Sequence, residues 1–260
     1  MGKTLFLFQF KNQLRSKWVY FIVFAIGLLS DLMLRFSGDG ARSILSLINL
    51  ALFFIPVIVA IQTAMFIYGN REYMELVLTQ PVKRGLLIVQ LWLAFWTPIA
   101  LSILLGMTLP FMYQQAGWNY IGSVFQLAGI TILLASIFSL LAVSISLKYD
   151  DKAKGLGALL GYWLFLSIIY DGLMLFLIQA LSDFSLREIS LGAVLLNPVD
   201  LSRILLLMLN NGAALLGVTG ALFERFVGTG LGMVTIGFLL LIWVLIPSLV
   251  SYRTFLKKDF

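Results

Sequence analysis

Six apolar runs, near residues 18–36, 43–69, 85–113, 121–147, 155–181 and 228–252, approach or exceed the roughly 20 residues that cross a hydrocarbon core. Water cannot reach backbone N–H and C=O groups there, so each run must close its own hydrogen bonds as a helix. The predicted fold class is therefore all-α: one polytopic membrane domain over residues 1–260 with six transmembrane helices. An interfacial helix (1–17) precedes them, and a helical outer segment (182–227) separates the fifth from the sixth. Charged residues make up only 12% of the chain, against roughly 25% in soluble domains, so no soluble fold could hide this much apolar surface.

Charge sets the orientation. An even number of spans puts Lys3, Lys11, Arg15, Lys17, Arg71, Lys83, Arg84, Lys148, Lys152, Lys154, Arg253, Lys257 and Lys258 on one side, thirteen of the eighteen basic residues. The five on the other side, Arg35, Arg42, Arg187, Arg203 and Arg225, have acidic neighbours such as Asp31, Asp39, Glu188, Asp200 and Glu224. The positive-inside rule then predicts cytoplasmic N and C termini. A seventh span within 182–227 would have to accommodate Arg203, Asn210 and Asn211 and would put Lys257 and Lys258 outside. That segment instead reads as short or re-entrant helices, started near Asn197-Pro198 and broken at Asn210-Asn211-Gly212. The first run follows a basic stretch, has no small-residue cleavage site, and is expected to stay as a span. Before it, Phe6, Phe10 and Leu14 recur at helical spacing beside Lys11 and Arg15, as in a helix lying in the membrane interface.

Without Cys or His, the chain has no material for disulfides, structural zinc, haem ligation or Cys and His nucleophiles. The nine Met are dispersed, unlike the clustered thioethers of a copper relay. The basic residues form no aromatic-interleaved patch, so no nucleic-acid partner is expected. Gly2-Lys3-Thr4 imitates the end of a phosphate-binding loop but lacks the glycine-rich cradle before it. Energy for any pumping would have to come from another chain.

The loop 70–84 is where such a chain could act. Arg71, Glu72 and Glu75 supply charge to a short helix, Met74, Val77 and Leu78 supply an apolar set, and Pro81 stops it. Joined directly to two spans, it is either an ordinary interfacial turn or a handle through which force would move them. The run Lys148-Tyr149-Asp150-Asp151-Lys152-Ala153-Lys154 is either a second contact or a solvated charge run. Asp171 is the one acidic residue deep in a span, at a cost of about 2.5–3.5 kcal/mol on insertion scales. It should face the bundle interior or a wet cavity, bonded to groups such as Tyr170 or Gln62; a proton relay would need a second ionisable group at that depth. Gly157 and Gly161 form a small face for close helix packing, within the bundle or across a dimer. Pro98 and Pro110 predict a kink in the third span.

Together, the basic entry Lys11-Asn12-Gln13-Leu14-Arg15-Ser16-Lys17-Trp18, the loop Arg71-Glu72 through Glu75-Leu76-Val77-Leu78-Thr79-Gln80-Pro81-Val82-Lys83-Arg84, and six spans with an elaborated last outer loop resemble the permease subunits of type 2 ABC transporters. Many members have Gly-Thr where Tyr73-Met74 stand. The resemblance implies that Arg71, Glu72, Glu75, Gln80, Pro81 and Arg84 belong to a coupling helix docking on a cytoplasmic ATPase dimer, which carries the ATP and Mg. It implies a second copy of the chain as partner and no cofactor or catalytic residue here. Tyr170-Asp171, the stretch Leu195-Leu196-Asn197-Pro198-Val199-Asp200-Leu201-Ser202-Arg203 and the ending Tyr252-Arg253 to Lys257-Lys258-Asp259-Phe260 are similar to the branch serving nitrous oxide reductase maturation. That branch implies a periplasmic partner that helps supply copper, with Asn197, Pro198, Asp200 and Arg203 as its contact or as a gate. The alternative within transport is export of a lipid, drug or sulfur-containing small molecule; an intramembrane enzyme or a structural scaffold fits the residues less well.

Overall fold

A computed structural model describes residues 2–180, 192, 195–210 and 230–258. Among the described residues there are helices and no strand, as the absence of water partners in a bilayer demands. Two elements precede the core: α1 (Gly2–Leu14) and the first span α2 (Lys17–Ser37). Then come α3 (Gly40–Gly69), the short α4 (Arg71–Leu78), α5 (Arg84–Tyr113), one turn of α6 (Gln115–Trp118) and α7 (Ile121–Lys148). The fifth span is composite: α8 (Lys152–Leu164), a π-helical turn (Phe165–Ile169) and α9 (Tyr170–Ala180). Two more follow, α10 (Pro198–Leu209) and α11 (Gly230–Lys257). Six of these helical stretches are long and apolar enough to cross a membrane, and the chain is a multi-pass membrane protein.

The bundle is organised around α7. It touches α3, α5, α8, α10 and α11, and 67% of its most apolar window is buried in the bundle, against 17% for the fifth and sixth spans. Leu127, Ala128, Leu134, Ala135, Phe138 and Ala142 are wholly enclosed. The cause lies in residue size. Lipid tails are as apolar as Leu, so helices associate in a bilayer by close fit and interhelical hydrogen bonds. Small residues along α7 permit that fit, and its hydroxyls tie the neighbours. Ser139 bonds Thr63 of α3 and the Trp92 indole of α5, both at 3.0 Å. Ser144 and Ser251 meet at 2.7 Å between α7 and α11.

The second large pairing is α2 with α5. Gly27 and Gly106 bring the two backbones together, and a Cβ on Gly106 would lie 2.9 Å from that of Ile26. The α2–α3 hairpin turns at Gly38, whose φ of 63° is open to glycine, and Asp39 caps α3 by accepting from the Ala41 amide. The helix α5 continues through Pro98 and Pro110. In α1 the inward residue is Gln9, 5% exposed against α5, whereas Leu7 and Phe8 are exposed. Phe6 and Phe10 stack on each other at 5.7 Å. The apolar face read from spacing misses this because polar and apolar residues are mixed around α1, so packing, not periodicity, selects the inward side.

Replacing Gly106 by Leu should force α2 from α5 and cost about 1–3 kcal/mol, as overpacking does. Gly129→Ala, with open space around it, should leave stability unchanged or slightly raised. Thermal unfolding of the two variants in detergent checks the contrast.

Candidate functional site

At the basic end of the bundle, α4 is a short helix set on its own small core. Met74 (0% exposed) and Val77 lock into a cluster with Ile67, Leu87, Leu91, Leu147 and Phe255, drawn from α3, α5, α7 and α11. The apolar set at 74 and 77 thus faces inward, which turns Glu72, Glu75, Leu76, Thr79, Gln80 and Pro81 outward. Leu76, 68% exposed, lies beside Glu72 and Glu75 on this face, and neither glutamate forms an ion pair among the described residues. The result is a rigid acidic knob with one apolar tip.

Arg71 does not share that outward role. Its guanidinium donates to the carbonyls of Ser146 (3.0 Å), Tyr149 (2.9 Å) and Asp150 (3.1 Å) and pairs with the Asp150 carboxylate at 3.2 Å. Asp150 also receives Lys258 at 2.7 Å, and Lys258 donates to the Leu147 carbonyl. Arg84 reaches the carbonyls of Leu256 and Lys258. Asp151 meanwhile caps α8, accepting from the amides of Ala153 and Lys154. The loop 148–151 is therefore a junction that binds α4, α7 and the end of α11, and it brings three distant segments to one face. Lys258 beside Asp150, with Arg71 behind, holds that carboxyl below its ordinary value of 3.8. Sequence reading could not separate this junction from a solvated charge run, because its partners lie up to 111 residues away.

A second cluster lies inside the bundle. Asn197 caps α10: its Oδ1 accepts the Val199 amide at 3.0 Å, and Pro198 takes the first helical position, where no N–H is needed. Its Nδ2 donates to the Leu166 carbonyl and to Asp200 Oδ2, each at 2.9 Å. Arg203, one turn on, donates from one nitrogen to Asp200 and to Asp171, both at 3.1 Å. Leu166 lies twelve residues beyond Lys154 and Asp171 seventeen, placing them about 18 and 25 Å from that charge in a core about 30 Å thick. Consequently α10 lies at the depth of the spans, packed on α3, α7 and α11. Asn197, Pro198 and Asp200 are buried by the chain itself, with only Arg203 and Asp171 part-exposed.

Asp171 is thus paired, and its partner is Arg203; Gln62 lines a separate cavity between α2 and α3. The π-helical turn ends at Ile169, immediately before Tyr170-Asp171. Such a turn shifts the register of the residues after it, and π-turns concentrate at functional positions. Nothing in the apolar run Phe165-Leu166-Ser167-Ile168-Ile169 announces it. Gly157 and Gly161 are exposed, and no atom among the described residues lies within 4 Å of a Cβ placed on either, their own helix backbone aside. The outer segment 182–227 lies mostly outside the described residues.

The described residues thus combine six candidate spans, a short amphipathic helix anchored between the second and third, and a further helix packed inside the bundle before the sixth. The family model for ABC-2 family transporter proteins matches residues 6–260, and the chain belongs to that family. It is 30% identical over 228 residues to the "Probable ABC transporter permease protein NosY" of Pseudomonas aeruginosa, covering 81% of this chain and 82% of that protein. It is 25% identical to the protein of the same name from Stutzerimonas stutzeri, covering 96% of each.

Two outcomes test these clusters. Arg203→Ala leaves two carboxylates facing each other in a low-dielectric site and should destabilise the chain by about 2 kcal/mol or more, with Asp171→Asn partly restoring it in the double variant; melting of the four proteins reads the coupling. At the basic end, the Asp150 carboxyl is depressed, so its contribution is complete above 3.8 and is lost as pH falls through the lower folded value. The clamp should hold from neutral pH to about 4, whereas Asp150→Asn should loosen residues 254–258 at neutral pH, seen as faster amide exchange.

Proposed function

We propose that this chain is the membrane half of an ABC transporter whose ATP and Mg are bound and hydrolysed in a separate cytoplasmic ATPase dimer, and that two copies of the chain form the working unit. The observation that carries the reading is α4: an exposed face of Glu72, Glu75, Leu76, Gln80 and Pro81 on a helix immobilised by Met74 and Val77. A basic pocket on the ATPase would grip the glutamates while Leu76 fills an apolar hollow, a pattern of charged rim and apolar anchor. Movement of the ATPase then reaches α3 and α5 through the backbone, and α7 and α11 through Arg71, Asp150 and Lys258. The exposed Gly157 and Gly161 face supports pairing of two copies through the fifth span. With the basic residues inward, the termini are cytoplasmic and the membrane is the bacterial inner one.

At the far end, the outcome of that movement falls on α10. Because Asn197, Pro198 and Asp200 are enclosed, they serve as a gate: Arg203 joins α10 to the fifth span through Asp171, and a shift of the bundle changes whether that pair is made. The purpose is assembly of the copper site of nitrous oxide reductase with a periplasmic partner. Support comes from the segments Tyr170-Asp171 and Leu195 to Arg203 and from two relatives that carry the name NosY.

Purification in mild detergent should yield a stable complex with an ATPase dimer, and Glu72→Lys with Glu75→Lys should lower its recovery at least tenfold without altering the melting of the permease. A complex that never forms, or one indifferent to these substitutions, removes the permease reading. For the narrower role, deletion should leave nitrous oxide reductase short of copper by elemental analysis; a fully metallated enzyme would refute it.

A further inference from the structure

A cavity of about 560 Å³ opens between α1, α2, α3 and α5 on the side of the bundle that carries the basic residues. It falls within the roughly 300–1,000 Å³ of small-molecule sites. Its wall changes character with depth. Gln13 and Ser16 stand at the interfacial end, Phe21 and Phe95 form the middle, and Ile58 lies deepest. Ile58 is eleven residues before Gly69, so the cavity reaches about 16 Å into the bilayer, close to the depth of one leaflet. Gln62 contributes a buried Nε2 with no hydrogen-bond partner among the described residues, an unmet donor in an apolar wall that a carbonyl would satisfy.

The interfacial end has a charge to match. Lys11, Arg15 and Lys17 lie within two residues of Gln13 or Ser16, all three are exposed, and none forms an ion pair among the described residues. A second copy seated here by two-fold symmetry would bring the same three cations toward their own kind. An anionic head group would neutralise them, and basic pockets between helices at the cytoplasmic face hold such head groups.

We infer that this cavity is a binding site for an anionic glycerophospholipid of the inner leaflet, one acyl chain lying along Phe21 and Ile58 and the phosphate at Lys11, Arg15 and Lys17. The lipid would brace α1 against the first two spans, where the chain's own packing leaves a gap.

Full-length protein, delipidated in detergent and then offered phosphatidylglycerol or phosphatidylcholine, reports occupancy by native mass spectrometry. Retention of phosphatidylglycerol should exceed that of phosphatidylcholine at least fivefold. Ile58→Trp, which fills the deep end, should lower retention at least fivefold, and the combined Lys11→Ala, Arg15→Ala and Lys17→Ala variant should lose the preference between head groups. Should Ile58→Trp melt early, Met65→Trp, at the exposed lip, takes its place. Equal retention of both lipids by the unaltered chain, or a preference that survives removal of the three cations, overturns the assignment. So does a filled cavity that leaves lipid retention unchanged, and if that variant instead turns a dimer into a monomer, the cavity belongs to a second copy.

Discussion

Ser139 stands where α3, α5 and α7 meet, and the close approach of those three helices underlies the rest of the bundle. Its hydroxyl oxygen accepts from both the Thr63 hydroxyl and the Trp92 indole N–H, which takes up its two lone pairs. In a bilayer the helices gain little by hiding apolar surface from each other, so contact must come from fit and from polar groups that lipid cannot satisfy. The small residues of α7 supply the first and its serines the second. Once α7 is enclosed, the outer spans can remain largely open to lipid or to another chain, as the fifth and sixth do.

That rigidity gives α4 its meaning. A short helix of eight residues is not stable alone in water. It holds its shape because Met74 and Val77 reach a core built by four spans, and because Arg71 is bound to the last turn of α7 and the loop that follows it. Displacing α4 therefore displaces α3, α5, α7 and α11 together, whereas a flexible loop would absorb the force. The two uses of charge in this loop differ physically: Glu72 and Glu75 remain hydrated and available, while Arg71 and Arg84 are engaged with backbone carbonyls.

The spans were legible in the sequence because length and hydropathy are properties of a single segment. Their ends agree with the structure to within a few residues for the first four, and the cap residues Asn197-Pro198 mark the start of α10 as written. What could not be read was anything that depends on two distant segments: the Asp150 junction with Lys258, the pairing of Asp171 with Arg203, and the depth of α10. By composition alone, Arg203 in an otherwise apolar stretch argues against a full span. The same residue, however, is what carries α10 into the bilayer, since its charge is met there by Asp171 and Asp200. A composition rule counts the arginine as a cost; only the fold shows the partner that offsets it.

The stoichiometry of that cluster decides how it can work. Two carboxylates share one guanidinium, and both bonds leave from the same terminal nitrogen, whose two N–H groups can serve one carboxylate each. Asp200 has a further bond from Asn197, is three residues away on the same helix and is nearly enclosed; Asp171 sits on another helix and is 38% exposed. The Asp200 bond is therefore the permanent one and orients the guanidinium, while the Asp171 bond is the one that a relative movement of α10 and the fifth span would break. Breaking it leaves Arg203 with its local partner rather than alone in a low-dielectric site, which lowers the barrier to opening compared with a single isolated pair. In such a cluster the cation keeps Asp200 when the two elements part, and the group left to be met by water is Asp171, the more exposed of the two carboxylates.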